Sequence, residues 1–198
     1  MKKIAYFLLS VFLVSCGEKA EYGDFEDVPA GAEIEKFEDN PDLSRVTVNR
    51  AGRVVEQGDY YRGYRHGAWT EFNPSTGSVS TVTSYVNGVK EGIFVKLDTK
   101  GAIVEKLSFH NDQPHGQYLK LNRGKILEIR EYSYGVLHGM MQKYYDNGTL
   151  MEESTFINGQ REGMARWYDQ DGTLTIEYEY RNGELIQEET ATEESEEE

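Results

Sequence analysis

Six glycine-punctuated segments recur about every 24 residues in this chain, and that period leaves few folds open. They read Tyr60-Tyr-Arg-Gly63-Tyr-Arg-His-Gly67, Tyr85-Val-Asn-Gly88-Val-Lys-Glu-Gly92, Phe109-His-Asn-Asp112-Gln-Pro-His-Gly116, Tyr132-Ser-Tyr-Gly135-Val-Leu-His-Gly139, Phe156-Ile-Asn-Gly159-Gln-Arg-Glu-Gly163 and Tyr180-Arg-Asn-Gly183. A further glycine follows each complete segment after eight to ten residues: Gly77, Gly101, Gly124, Gly148 and Gly172. Self-similarity at such a period marks a repeat array, in which each unit buries its surface only against its neighbours. Arrays of this kind usually present a surface rather than a reaction centre.

The offsets select strands. Eight residues after each of those further glycines stand Tyr85, Phe109, Tyr132, Phe156 and Tyr180, and two residues after stand Val79, Ile103, Ile126, Leu150 and Leu174. Even offsets share one face of an extended strand. In the other strand of each unit, Trp69, Phe94, Tyr118, Met141 and Ala165 lie two residues after a glycine, and Phe72, Leu97, Leu121, Tyr144 and Tyr168 lie five after. Offsets of two and five require either a bulge or cover on both faces. Asn87-Gly88, Asn147-Gly148, Asn158-Gly159, Asp171-Gly172 and Asn182-Gly183 supply the positive φ that tight hairpins need. The expected fold is all-β: an elongated, twisted, single-layer antiparallel β-meander of hairpin repeats, with eleven or twelve strands over residues 45–183.

The first 15 residues read as a leader, with Lys2 and Lys3 before an apolar run from Ile4 to Val14. That run is too short to span a bilayer. With Leu13-Val-Ser-Cys16 it resembles the lipobox of bacterial lipoproteins, which implies cleavage before Cys16 and lipidation of Cys16, with palmitate among the expected acyl chains. Two or more acyl chains make a stable anchor, so the expected membrane contact is lipid and the expected location is the extracytoplasmic cell envelope. Cys16 is the only cysteine, so no internal disulfide is available.

The net charge of −14 is unevenly spread. Residues 17–42 carry ten acids and two bases, and residues 184–198 carry eight acids and no base. The stretch between, 43–183, balances 17 acids against 17 bases. Residues 16–44 therefore read as a lipidated cysteine and acidic linker, and 184–198 as an acidic disordered tail. No basic stripe for nucleic acid is present.

The unit Tyr-x-Asn-Gly-x-x-x-Gly followed by an aromatic, then Asn-Gly-x-Leu, resembles MORN-type repeats. The closer resemblance is to the bacterial variant found in YwqK-type antitoxin proteins, whose turns end like His66-Gly67, His115-Gly116, His138-Gly139 and Glu162-Gly163. It covers residues 45–183. The third unit departs most, with Asp112 in place of the first glycine and Pro114 after it, so its turn is the one expected to deviate. The resemblance implies a meandering sheet used for protein or membrane contact. Choline-binding repeats, which depend on paired tryptophans, fit less well, because the chain has two tryptophans in all.

No reaction centre stands out. His66, His115 and His138 occupy the same turn position in different units, roughly 10 Å apart when adjacent, which fits a turn preference and no metal site. There is no Gly-x-Ser-x-Gly elbow and no phosphate-cradling loop, and adjacent acids such as Glu152 and Glu153 point to opposite faces. The expectation is a non-enzyme with no cofactor, no metal and no small-molecule substrate. Four aromatics depart from their repeat positions. Trp167 stands where other units have Glu71, Lys96, Lys120 and Lys143; Tyr145 where they have Asn73, Asp98, Asn122 and Asp169; Tyr178 where they have Thr83, Leu107, Arg130 and Ser154; and Tyr134 where they have Asn87, Asn111, Asn158 and Asn182. Exposed aromatics on a polar background suit a binding hot spot, so Tyr134, Tyr145, Trp167 and Tyr178 form the expected partner surface. The expected function is a membrane-anchored lipoprotein whose repeats serve as a protein-interaction or scaffold module. The alternatives are an antitoxin-like or immunity protein that neutralises a co-encoded toxin, and a glycan-binding envelope accessory protein.

Overall fold

A computed structural model describes residues 28–190, so Cys16, the leader and residues 191–198 lie outside the described residues. The strands are β1 (Ala32–Phe37), β2 (Asn40–Arg50), β3 (Arg53–Tyr61), β4 (Tyr64–Phe72), β5 (Val79–Val86), β6 (Val89–Leu97), β7 (Ile103–His110) and β8 (Gln113–Pro114). They continue as β9 (Gly116–Asn122), β10 (Lys125–Ser133), β11 (Val136–Tyr144), β12 (Leu150–Ile157), β13 (Gln160–Arg161), β14 (Gly163–Tyr168), β15 (Leu174–Arg181) and β16 (Glu184–Thr190). All sixteen belong to one open antiparallel sheet in meander order, with the two-residue β8 and β13 pairing β7 and β12 beside the main path. The expected all-β meander is what forms, and it has two long edges of hairpin turns.

Turn chemistry explains the hairpins. Asn87, Asn158 and Asn182 adopt φ of 49°, 52° and 51°, and the glycines after them adopt 87°, 82° and 83°. Positive φ at both central residues gives the turn whose twist matches the strands it joins. The third unit keeps this shape, against expectation. Asn111 and Asp112 both take positive φ, and Asp112 Oδ1 accepts the Lys90 amide at 2.8 Å. A short side chain that bonds locally tolerates the left-handed region, so aspartate can stand in for glycine here.

Bulges reconcile the awkward offsets. The register slips between Glu71 and Phe72, Lys96 and Leu97, Lys143 and Tyr144, and Trp167 and Tyr168, with a matching slip between Ile126 and Glu128. In each slip the extra residue (Ser80, Val104, Leu127, Met151 or Thr175) lies in the following strand, so the offset-two and offset-five residues fall on opposite faces by their odd spacing. Against the expectation from even offsets, the extra residue turns Val79, Ile103, Ile126, Leu150 and Leu174 to the face opposite Tyr85, Phe109, Tyr132, Phe156 and Tyr180.

One face carries nearly all the burial. Following the register, Val46, Gly58, Trp69, Thr83, Phe94, Leu107, Tyr118, Arg130, Met141, Ser154, Ala165 and Tyr178 form its central row. We term this the inner face. Tyr60, Tyr85, Phe109, Tyr132, Phe156 and Tyr180 form a parallel row on the same face. The driest cluster is Val46, Tyr60 and Trp69, with Val28, Ala32 and Tyr85 packed against it.

The sheet overruns its expected limits at both ends. β1 and the first half of β2 occupy what read as linker, and β16 occupies what read as tail. Charge density had suggested disorder there. A solvent-facing acid costs a strand little when a formed neighbour supplies the hydrogen bonds, and Ala32 and Ile34 alternate with Glu33 and Glu35 at strand period. Acidic edge strands also discourage edge-to-edge pairing between copies.

Candidate functional site

The turn edge at Gly63, Gly88, Asp112, Gly135, Gly159 and Gly183 is stitched from unit to unit. The amides of Gly88, Asp112, Gly135, Gly159 and Gly183 donate to the carbonyls of Arg65, Lys90, Pro114, Leu137 and Arg161, one unit back, at 2.8–3.1 Å. A second bond runs beside each. The amides of Asn87, Tyr134 and Asn158 donate to Nδ1 of His66, His115 and His138 at 3.4, 3.3 and 3.4 Å. Those of Asn111 and Asn182 donate to carboxylate oxygens of Glu91 and Glu162 at 3.0 and 2.7 Å. Hence every complete unit ends in His-Gly or Glu-Gly: the side chain is the acceptor for the next turn. The position preference of these histidines therefore has a cause, an acceptor recurring just before a glycine, which the sequence itself displays.

The four off-register aromatics do not converge. Trp167 and Tyr178 meet on the inner face, ring centroids 5.4 Å apart. Tyr134 lies in a turn on the stitched edge, and Tyr145 follows β11 at the opposite edge, where its hydroxyl donates to the Tyr168 carbonyl at 2.8 Å. The nine residues of β11 hold these two tyrosines about 30 Å apart. Tyr178 has a packing reason to be large, because it sits directly across from Ala165 in the register.

Trp167 and Tyr178 belong to a network that the inner face makes with its own cations. The Arg161 guanidinium lies 5.3–5.6 Å from the ring centres of Phe156, Trp167 and Tyr180, and it bonds Glu152 at 2.6 Å. Lys143 holds the other Glu152 oxygen at 2.7 Å. Elsewhere Arg65 stacks on Trp69 and Tyr85, Lys90 on Phe109 and Arg130 on Tyr118. A ring face already occupied by a cation is a poorer platform for a partner.

The opposite, outer face carries most of the exposed apolar groups, Ile34 and Leu185 being on the inner face at the two ends of the sheet. Tyr64, Val86, Ile93, Val136, Met140 and Ile157, with Tyr134 in its turn, are 39–58% exposed and line the half of that face beside the stitched edge. Residues Val86 and Ile157 directly follow a repeat aromatic, and Tyr64 and Val136 directly follow a turn glycine. That one-residue offset puts them on the far side of the strand and could have flagged them.

In the third unit the His110 and His115 rings lie 5.8 and 4.7 Å from Tyr134, and His110 Nδ1 bonds Glu91 at 3.0 Å. Among the described residues no three His, Cys, Asp or Glu side chains are placed to share a metal ion. Clefts of about 120 Å³ beside Met140 and Arg166 and about 250 Å³ beside Arg50 and Phe72 are smaller than usual ligand pockets.

No curated protein shows a significant match to this sequence. Among solved structures, the chain is similar to a crystal structure of an S. aureus TarM mutant in complex with fondaparinux, alpha-GlcNAc-glycerol and UDP, at 12% identity and a TM-score of 0.30. That likeness covers 67% of this chain and spans only 21% of the length of the other. The family model described as a MORN repeat variant matches residues 137–158 and 161–182, so these two adjacent turns of the array are MORN-type repeats.

Proposed function

We propose that this chain is a lipid-anchored interaction scaffold of the cell envelope, and that a protein partner docks on the outer face along the stitched turn edge. MORN repeats generally serve as protein- or membrane-interaction modules. The observation that carries the narrower reading is the row of exposed Tyr64, Val86, Ile93, Tyr134, Val136, Met140 and Ile157. Exposed apolar groups gathered on one face, here in two clusters either side of Ser108, Gln117 and Glu131, suit a binding surface. Backbone stitching between successive turns holds that surface in place, which lowers the ordering cost of binding. Anchoring follows from the leader and Cys16, and the antitoxin or immunity role is the special case in which the docked protein is a toxin.

The test is crosslinked pull-down from the native envelope. Replacing Ile93, Val136, Met140 and Ile157 together by Ser is expected to abolish partner capture while far-UV circular dichroism stays β-type. Undiminished capture by that variant would remove the outer face from consideration. Cys16→Ala is expected to move the chain from the membrane to the soluble fraction, and unchanged retention would refute the lipid anchor.

A further inference from the structure

The five side-chain acceptors of the stitched edge are of two chemical kinds. His66, His115 and His138 offer an imidazole nitrogen, whereas Glu91 and Glu162 offer a carboxylate oxygen. A backbone N–H can only donate, so Nδ1 of each of these rings presents its lone pair and the ring proton sits on Nε2. Protonation places an N–H on Nδ1, pointing at the amide N–H, and the bond is lost. A carboxylate goes on accepting until far lower pH.

We propose that the stitched edge is a pH-graded device: mild acidification breaks the side-chain bonds to the Asn87, Tyr134 and Asn158 amides and leaves those turns held by their backbone bond alone, while the turns at Asn111 and Asn182 keep both. Imidazoles as a class gain a proton in mild acid, whereas carboxylates as a class stay ionised there. The loosened turns include that of Tyr134, at 58% the most exposed large apolar side chain among the described residues. The device rests on the geometry of the edge and stands whether or not that edge is the partner surface.

Each ring has titratable or charged neighbours. Asp59 is opposite His66 in the register and is already engaged by Arg45 at 2.9 Å, with the Tyr61 ring 5.4 Å away. His115 lies 5.9 Å from His110 and 4.7 Å from Tyr134, with the Glu91 carboxylate shared between His110 and the Asn111 amide. The Glu131 side chain lies against Gly139, beside His138, where the register slips. The Glu91 carboxyl is held below the ordinary carboxylate range by its bond from His110 and then by the Asn111 amide. Its contribution is therefore complete above the ordinary value of 4.5 and is lost only as pH falls through the lower folded value, well beneath the imidazole range.

Residue-resolved amide exchange on the full chain at pH 7.5 and 5.5, each corrected for intrinsic rate, tests the device. Protection at Asn87, Tyr134 and Asn158 is expected to fall about threefold to tenfold at the lower pH, with Asn111 and Asn182 unchanged. Replacing His66, His115 and His138 by Glu should abolish the difference. Should that variant fail to fold, His138→Glu alone should flatten the response of Asn158 and leave those of Asn87 and Tyr134. Equal loss at all five amides, no loss at the three, or a pH response of Asn158 that survives His138→Glu would overturn the proposal.

Discussion

The two ends of the inner face use the same backbone and different chemistry. Near β2–β4 the central row holds Val46, Gly58 and Trp69, and the row beside it begins at Val48. A Cβ on Gly58 would run into the Trp69 ring, so a glycine and a tryptophan share one volume. Near β10–β15 the equivalent rows hold Arg130, Met141, Ser154, Ala165 and the alternating ions Glu128, Lys143 and Glu152. Val28 and Ala32 pack against the buried cluster at the first end. The other end is covered mainly by the stems of its own long side chains, whose charged heads reach one another. A single-layer sheet can thus be closed by hydrocarbon where another segment lies over it, and by paired ions where none does. Buried carboxylates are tolerable at the second end only because each has a partner: Glu152 with Lys143 and Arg161, and Glu128 with Arg130 at 2.7 Å.

Deleting the largest buried ring should break the first end. Trp69→Ala is expected to cost about 3–5 kcal/mol in denaturant unfolding, because Gly58 offers nothing to refill the space. A loss under about 1 kcal/mol would mean that the Val46–Tyr60–Trp69 cluster is not the main dry core. At the second end, Glu152→Ala strands two cations. Since Arg161 and Lys143 are partly exposed, the expected loss is about 2–3 kcal/mol, below the range for a fully buried pair. Equal stability of Glu152→Ala and wild type would show that the ions are merely adjacent.

A smaller effect separates the four aromatics. Trp167→Ser and Tyr178→Ser are each expected to cost about 1–3 kcal/mol, as half-buried rings do, whereas Tyr134→Ser should change stability by less than about 0.5 kcal/mol. Comparable values for all three would contradict the division between inner face and turn edge. Smallest of all is Ser154→Ala. The Ser154 hydroxyl is buried with no hydrogen-bond partner, so its removal should be neutral or slightly stabilising, within about 0.5 kcal/mol. A clear loss in thermal melting would reveal a partner for that hydroxyl.

Much of this was legible locally. The strands and the presence of bulges were legible from the offsets, but the bulge in each unit puts Val79, Ile103, Ile126, Leu150 and Leu174 on the face opposite Tyr85, Phe109, Tyr132, Phe156 and Tyr180, where even spacing had them together. The destination of Trp167 and Tyr178 was not legible. Their departure from the repeat looked like exposure, but it is compensation: Tyr178 fills the space left by Ala165, and Trp167 stands in a lysine position beside Arg161. The acidic ends were misread because composition was weighed above the alternation in β1.

By itself, the sequence determined the hairpins, the meander and the period, because Asn-Gly turns and strand alternation act over a few residues. Only the tertiary structure decided which aromatics turn inward, that the sheet runs on through β1 and β16, and that histidine and glutamate serve one purpose at the turn edge. Those features join residues about 20 positions apart. Their pairing depends on the register after each bulge, and a shift of a single residue there would send every later side chain to the other face.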